Sequence, residues 1–154
     1  LRRCLPLSTP RVLIVDDEAD ARHLLAEHLK EEHCAFETAS NGREALELLP
    51  VFSPDLILLD LVMPEMDGMT FLNHIRSLPQ YLFLPVVVVT ARQLSPAETE
   101  QLRQTVQDVV EKGENFEADL DRVLRQYLRG DGKKARAGSS LSKETGPAGR
   151  KRKR

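Results

Sequence analysis

Two rhythms of hydrophobic positions alternate along this chain. RVLIV at 11–15, DLILLD at 55–60 and PVVVVT at 85–90 are continuous apolar runs of strand length, the pattern of strands buried on both faces. CAFETA at 34–39 reads as a further strand, and TVQDVV at 105–110 as a weaker fifth. Helical spacing fills the intervals. Over 18–32, Leu24, Leu25 and Leu29 share one face, with Glu27, Lys30 and Glu31 on the other. Asn41-Gly42 marks a turn or helix entry, and GREALELLP at 42–50 predicts a short helix stopping near Pro50. MTFLNHIRSL at 69–78 predicts a helix ended by Pro79. Ser95-Pro96-Ala97-Glu98 is a strong helix start: Ser caps, Pro takes the first position, and Glu lies three after Ser. FEADLDRVLRQYL at 116–128 is an amphipathic last helix. Five alternations of strand and helix predict an α/β fold, a parallel sheet with helices on both faces.

Charge divides the chain where hydropathy does. Residues 131–154 hold nine Lys/Arg against two acids, a net of +7, whereas residues 1–130 hold 13 basic and 22 acidic residues, a net of −9. Three segments are expected: 1–10 as an N-terminal segment or linker, 11–129 as one acidic globular domain, and 130–154 as a basic, disordered tail poor in large apolar residues. Cys4 and Cys34 stand 30 residues apart without a C-x-x-C, which indicates neither a disulfide framework nor a zinc site. Cys34 is expected as a small buried residue of the second strand. No apolar run reaches about 18 residues, so membrane contact is not expected, and LRRCLPL is too short for a signal peptide. A cytoplasmic location is the expectation. The start at Leu1 rather than Met points to a piece of something longer.

The chemistry gathers at strand ends. Asp16 and Asp17 follow VLIV, Asp60 follows DLILL, Thr90 follows VVVV, and Lys112 follows DVVE. In an open parallel sheet the carboxyl ends of the strands line one edge, where ligands bind. Asp17 has a structural alternative as the cap of the following helix, with Asp20 three residues on returning the bond. Asp60 lacks that alternative, because Pro64 and Asp67-Gly68 force a loop after it. Three carboxylates at close quarters repel unless a divalent cation neutralises them or a proton stays on. A Mg²⁺ site beside a carboxylate that accepts a phosphoryl group fits this set, with Lys112 and Thr90 available to the phosphoryl oxygens.

These strings resemble the receiver domain of two-component response regulators, over roughly residues 11–129. VLIVDDE is similar to that family's first strand with its acidic pair, and LILLDLVMPEMDG to its phosphoacceptor strand and following loop. VVVVTA and VVEKG resemble its fourth and fifth strands. The separations, 43 residues from Asp17 to Asp60, 30 on to Thr90 and 22 on to Lys112, also suit the family. The resemblance implies a flavodoxin-like (βα)5 fold with strand order 2-1-3-4-5. It implies Asp60 as phosphoacceptor and Asp16, Asp17, Asp60 and the backbone carbonyl of Val62 as Mg²⁺ ligands. Thr90 would bond the phosphoryl group and Lys112 would pair with it. The partner implied is a histidine kinase or histidine-phosphotransfer protein, the chain being a single-domain regulator or the receiver of a hybrid kinase. Such a chain is a signalling domain rather than an enzyme. The alternative is a pseudo-receiver that keeps the fold and acts through protein contacts without phosphorylation.

Two positions depart from the family pattern. Val109 stands where a Tyr or Phe ring is usual, and Gly113 replaces the usual proline after the lysine, so a cis bond is not expected there. Other classes fit less well. A haloacid-dehalogenase-like phosphatase needs a second Asp where Val62 stands, and no Gly-rich nucleotide motif occurs. His23, His28, His33 and His74 have no metal-ligand spacing and read as surface residues. GRKRKR at 149–154 has no interleaved aromatic residue, so nucleic acid is not an expected partner beyond weak contacts of the tail.

Overall fold

The structure, a computed structural model, describes residues 9–63 and 66–128. The first eight residues, Pro64 and the basic tail, with what the sequence predicts for them, lie outside these. The chain divides into two compact units, Leu1–Phe116 and Glu117–Arg154.

In chain order the elements are β1 (Arg11–Val15), α1 (Ala19–Glu31), β2 (Ala35–Ala39), α2 (Gly42–Phe52), β3 (Leu56–Leu59), α3 (Gly68–Arg76), a 3-10 turn (Pro79–Tyr81), β4 (Val86–Thr90), α4 (Pro96–Leu102), β5 (Asp108–Glu111) and α5 (Phe116–Leu128). The five strands are parallel in the order β2-β1-β3-β4-β5. This is the flavodoxin-like arrangement. Every residue of β3 is buried, which explains why its run is unbroken by polar residues.

Alternation along the strands sorts the core. Leu13, Val15, Ile57, Leu59, Val86 and Val88 form one cluster with Leu49 of α2, Phe71 and Ile75 of α3, and Leu102 of α4. The intervening positions, Val12, Ile14, Leu56, Leu58, Val87 and Val89, are equally buried and point to the other face, where α1 buries Leu25 and Leu29. Within the second unit, Leu120, Val123 and Leu124 of α5 are buried at i, i+3 and i+4 spacing.

Several local expectations need correction. Leu24 is 53 % exposed, because Leu25 and Leu29 sit one turn apart on the inward face and their neighbour at 24 falls to its side. Helix α2 does not stop at Pro50 but runs to Phe52. Pro50 lies in the last turn with its ring exposed, so only one helical bond is forfeited there. Phe52 is buried beneath the Arg11 guanidinium, 4.4 Å from its ring centroid, and Ser53 closes the helix in the left-handed region with its N–H donating to Leu49 O. The fifth strand begins at Asp108 rather than Thr105. Thr105 and Val106 instead donate to Leu102 O at the end of α4, and Gln107 accepts the Val86 N–H on its side-chain oxygen at 2.7 Å. Asp67-Gly68 starts a helix as well as ending a loop: Asp67 Oδ1 accepts the Thr70 N–H at 2.8 Å, and Gly68 is the first residue of α3. Cys34 is buried as expected, but just before β2 rather than in it.

Arg76 holds the edge of the sheet opposite the strand ends. Its guanidinium donates to the carbonyls of Tyr81, Leu82 and Leu84 before β4 and of Thr105 before β5, at 2.8–3.2 Å. At the other edge, Gly68 N–H donates to Leu61 O at 3.0 Å, so α3 begins against the backbone that follows β3. A Cβ at position 68 would collide with Asp60 O and lie 2.7 Å from Leu61 Cα, both backbone atoms. Gly68→Ala should therefore cost about 1–3 kcal/mol in urea unfolding. Gly113→Ala, whose Cβ meets nothing within 4 Å, should leave stability within about 0.5 kcal/mol. Equal effects of the two would show that the close approach at Gly68 is unimportant.

Candidate functional site

The strand ladder runs one hydrogen bond beyond β1, β3 and β5. Asp16 N–H donates to Ala39 O at 3.1 Å, Asp60 N–H to Val15 O at 2.8 Å, and Lys112 N–H to Thr90 O at 2.8 Å. The backbones of these residues are thus fixed by the sheet before their side chains do anything. Carboxylate oxygens of Asp16, Asp17 and Asp60 lie within 4.8 Å of one another. The sequence-predicted site residues do converge.

Their environments differ. Asp16 is 1 % exposed, accepts the Glu18 N–H on Oδ1 at 2.9 Å and accepts Lys112 Nζ on Oδ2 at 3.0 Å. Asp17 is exposed and Asp60 is half-buried. The capping alternative for Asp17 is not what the chain adopts: the residue before α1 is Glu18, and no side chain caps that helix. Thr90 is buried, and its Oγ1 accepts the Arg92 N–H at 3.1 Å. Val62 is 60 % exposed beside the carboxylates. Asp17, Glu18, Asp60, Val62, Thr90, Arg92 and Lys112 border one open cavity of about 240 Å³.

Two of these residues were not anticipated. Glu18 enters because it follows the acidic pair at the start of α1, and Arg92 because it stands two residues beyond Thr90. The signal for Arg92 was present as an arginine six residues before Glu98, the carboxylate of the α4 capping box. Val109 is partly buried on β5, opposite Val88, and packs against the α2–α4 core cluster. No described peptide bond is cis.

Electrostatics follow from burial. Loss of water raises the Asp60 carboxyl to about 6, and the charge of Asp16 pushes the same way, against Lys112 and the backbone N–H groups of Val62 and Leu61. An all-oxygen donor set of this kind suits a hard divalent cation such as Mg²⁺.

The family model of the response regulator receiver domain matches residues 12–124. An uncharacterized 14.6 kDa protein from the sodA1 3′ region of Leptolyngbya boryana is 35% identical over 116 residues, covering 75% of this chain and 88% of that one. The sensor histidine kinase TmoS of Ectopseudomonas mendocina is 30% identical over 125 residues, covering 79% of this chain but only 13% of the kinase. Among solved structures, the Vibrio cholerae chemotaxis protein CheY4 superposes with a TM-score of 0.71 at 30% identity, covering 79% of this chain and 100% of that one. No helix among the described residues is long and apolar enough to cross a membrane.

The raised Asp60 value has a stability consequence. In the unfolded chain an aspartate titrates near 4, so between about pH 4 and pH 6 the folded state holds more protons. This group therefore makes stability fall as pH rises through that window. Without divalent cations, carbon-13 NMR should place the Asp60 carboxyl midpoint near 6, and Asp60→Asn should remove the matching decline in melting temperature. A midpoint near 4 would refute the desolvated environment.

Proposed function

The chain belongs to the response regulator receiver family, and on that basis we propose that Asp60 accepts a phosphoryl group from a phosphohistidine donor in a two-component phosphorelay. What supports the reading is the cluster itself: three carboxylates within 4.8 Å at the carboxyl edge, with an ammonium and a hydroxyl beside them. Asp16, Asp17, Asp60 and the backbone carbonyl of Val62 would hold Mg²⁺. Bound there, the cation offsets the charge of the attacking carboxylate and of the phosphoryl oxygens.

The protein's own groups divide the remaining work. An Asp60 oxygen attacks phosphorus; the P–N bond of the donor breaks, and its electron pair leaves on the imidazole nitrogen. Lys112, whose ammonium has donors to spare beyond its bond to Asp16, pairs with a phosphoryl oxygen. Thr90 donates its hydroxyl to another oxygen. Ladder bonds at Asp60 and Lys112 keep the reacting groups in place, so little reorganisation accompanies the transfer. The described domain acts as a phosphoacceptor, and the histidine-bearing kinase or phosphotransfer protein is its partner. Residues 11–129 are the receiver in this reading.

Incubation with acetyl phosphate and Mg²⁺ should add one acid-stable, base-labile phosphoryl group at Asp60, read by mass spectrometry of the peptide. Asp60→Asn and chelation of the metal should each abolish it. Stoichiometric labelling of the Asn variant at a serine or histidine would sink the assignment.

A further inference from the structure

Arg92 borders two cavities at once. One is the cavity shared with Asp60, Thr90 and Lys112. The other, of about 190 Å³, lies along the first turns of α3 and α4, beside Met69, Leu94 and Glu98. The guanidinium is committed to the second, with Nη2 donating to Glu98 Oε2 at 2.6 Å. Its backbone N–H is committed to the first, through Thr90 Oγ1 at 3.1 Å. Glu98 is in turn the capping-box carboxylate of α4: Oε1 accepts the Ser95 N–H at 3.0 Å, and the Glu98 N–H donates to Ser95 Oγ at 3.1 Å. One residue thus touches both the hydroxyl at the site and the carboxylate that fastens the start of α4.

Two cations line the cavity that Asp60 lines, and they differ in how readily they move. Lys112 is bonded to Asp16, whose carboxylate is 1 % exposed, so moving Lys112 without a replacement strands a buried charge. Arg92 and Glu98 are 51 % and 43 % exposed, and a pair so hydrated and screened contributes little. A phosphoryl dianion is a stronger partner for a guanidinium than Glu98, because it carries more negative charge and can offer two oxygens to the fork, whereas Glu98 Oε1 is already held by the Ser95 N–H. Resting on the reading of Asp60 as phosphoacceptor, we infer that Arg92 exchanges Glu98 for the phosphoryl group on Asp60 and so reports phosphorylation to the start of α4. The exchange frees one oxygen of the capping carboxylate and pulls on the 91–95 loop from both ends. Phosphorylation supplies the charge, and the two alternative partners of Arg92 supply the two discrete states. Val109 has no ring to move, so the guanidinium is the moving part.

Amide and arginine Nε–H spectra of the full chain, with and without beryllofluoride and Mg²⁺, test this. In the unsubstituted protein, residues 60–63, residues 95–99 and the Arg92 Nε–H should all shift. Arg92→Gln should keep the response at 60–63 and lose it at 95–99. Glu98→Gln retains an N3 acceptor for the cap but frees Arg92; it should speed phosphorylation by acetyl phosphate roughly threefold to tenfold, whereas Arg92→Gln should slow it. A response at 95–99 that persists in Arg92→Gln, or an unchanged rate in Glu98→Gln, overturns the exchange while leaving the phosphoacceptor reading intact. Absence of any shift at 60–63 and of any labelling in the unsubstituted protein overturns that reading and this one with it.

Discussion

A carboxylate withdrawn from water must be given donors, and Asp16 is almost wholly withdrawn. The first donor is local, the Glu18 N–H. The second is the Lys112 ammonium, from a strand separated from β1 by β3 and β4. Satisfying this one buried charge therefore sets the span of the strand ends. Asp60 and Thr90 terminate the two strands in between, and their place in the cavity follows from the same constraint.

The balance of charge around Asp60 is correspondingly close. Desolvation and a neighbouring carboxylate favour its proton, whereas Lys112 and two backbone N–H groups oppose it. A divalent cation held by these carboxylates would favour the ionised, nucleophilic form of Asp60. The environment that raises the Asp60 carboxyl is also one that suits a hard cation.

Much of this was legible in the sequence because the relevant signals are strong and local. Doubly buried strands announce themselves as unbroken runs, and Asp60 or Thr90 at the end of such a run has its place fixed by topology. The α4 start was legible for the same reason, since Ser95, Pro96 and Glu98 each act within one turn. The misses are of another kind. Whether Leu24 or Leu25 faces inward depends on a rotation of about 100° that the sequence pattern leaves open when three leucines cluster. Pro50 is tolerated in α2 because Phe52 packs under Arg11, a contact between residues 41 apart. The late start of β5 comes from Gln107 substituting a side-chain oxygen for a strand carbonyl. Arg92 was missed because a lone arginine in a loop carries no periodicity, and its spacing to Glu98 gains meaning only once the fold sets it at two cavities.

The bond between Lys112 and Asp16 joins residues 96 positions apart. A ribosome delivers Asp16 long before Lys112, so the nascent sheet carries an acidic residue at the end of β1 whose ammonium partner has not yet been made. Packing β1 between β2 and β3 at that stage would bury the charge uncompensated. The carboxyl edge must then stay hydrated, or hold a cation or a proton, until β5 docks. The most distant electrostatic contact of the site becomes the closing step of assembly, and competence for chemistry coincides with completion of the sheet.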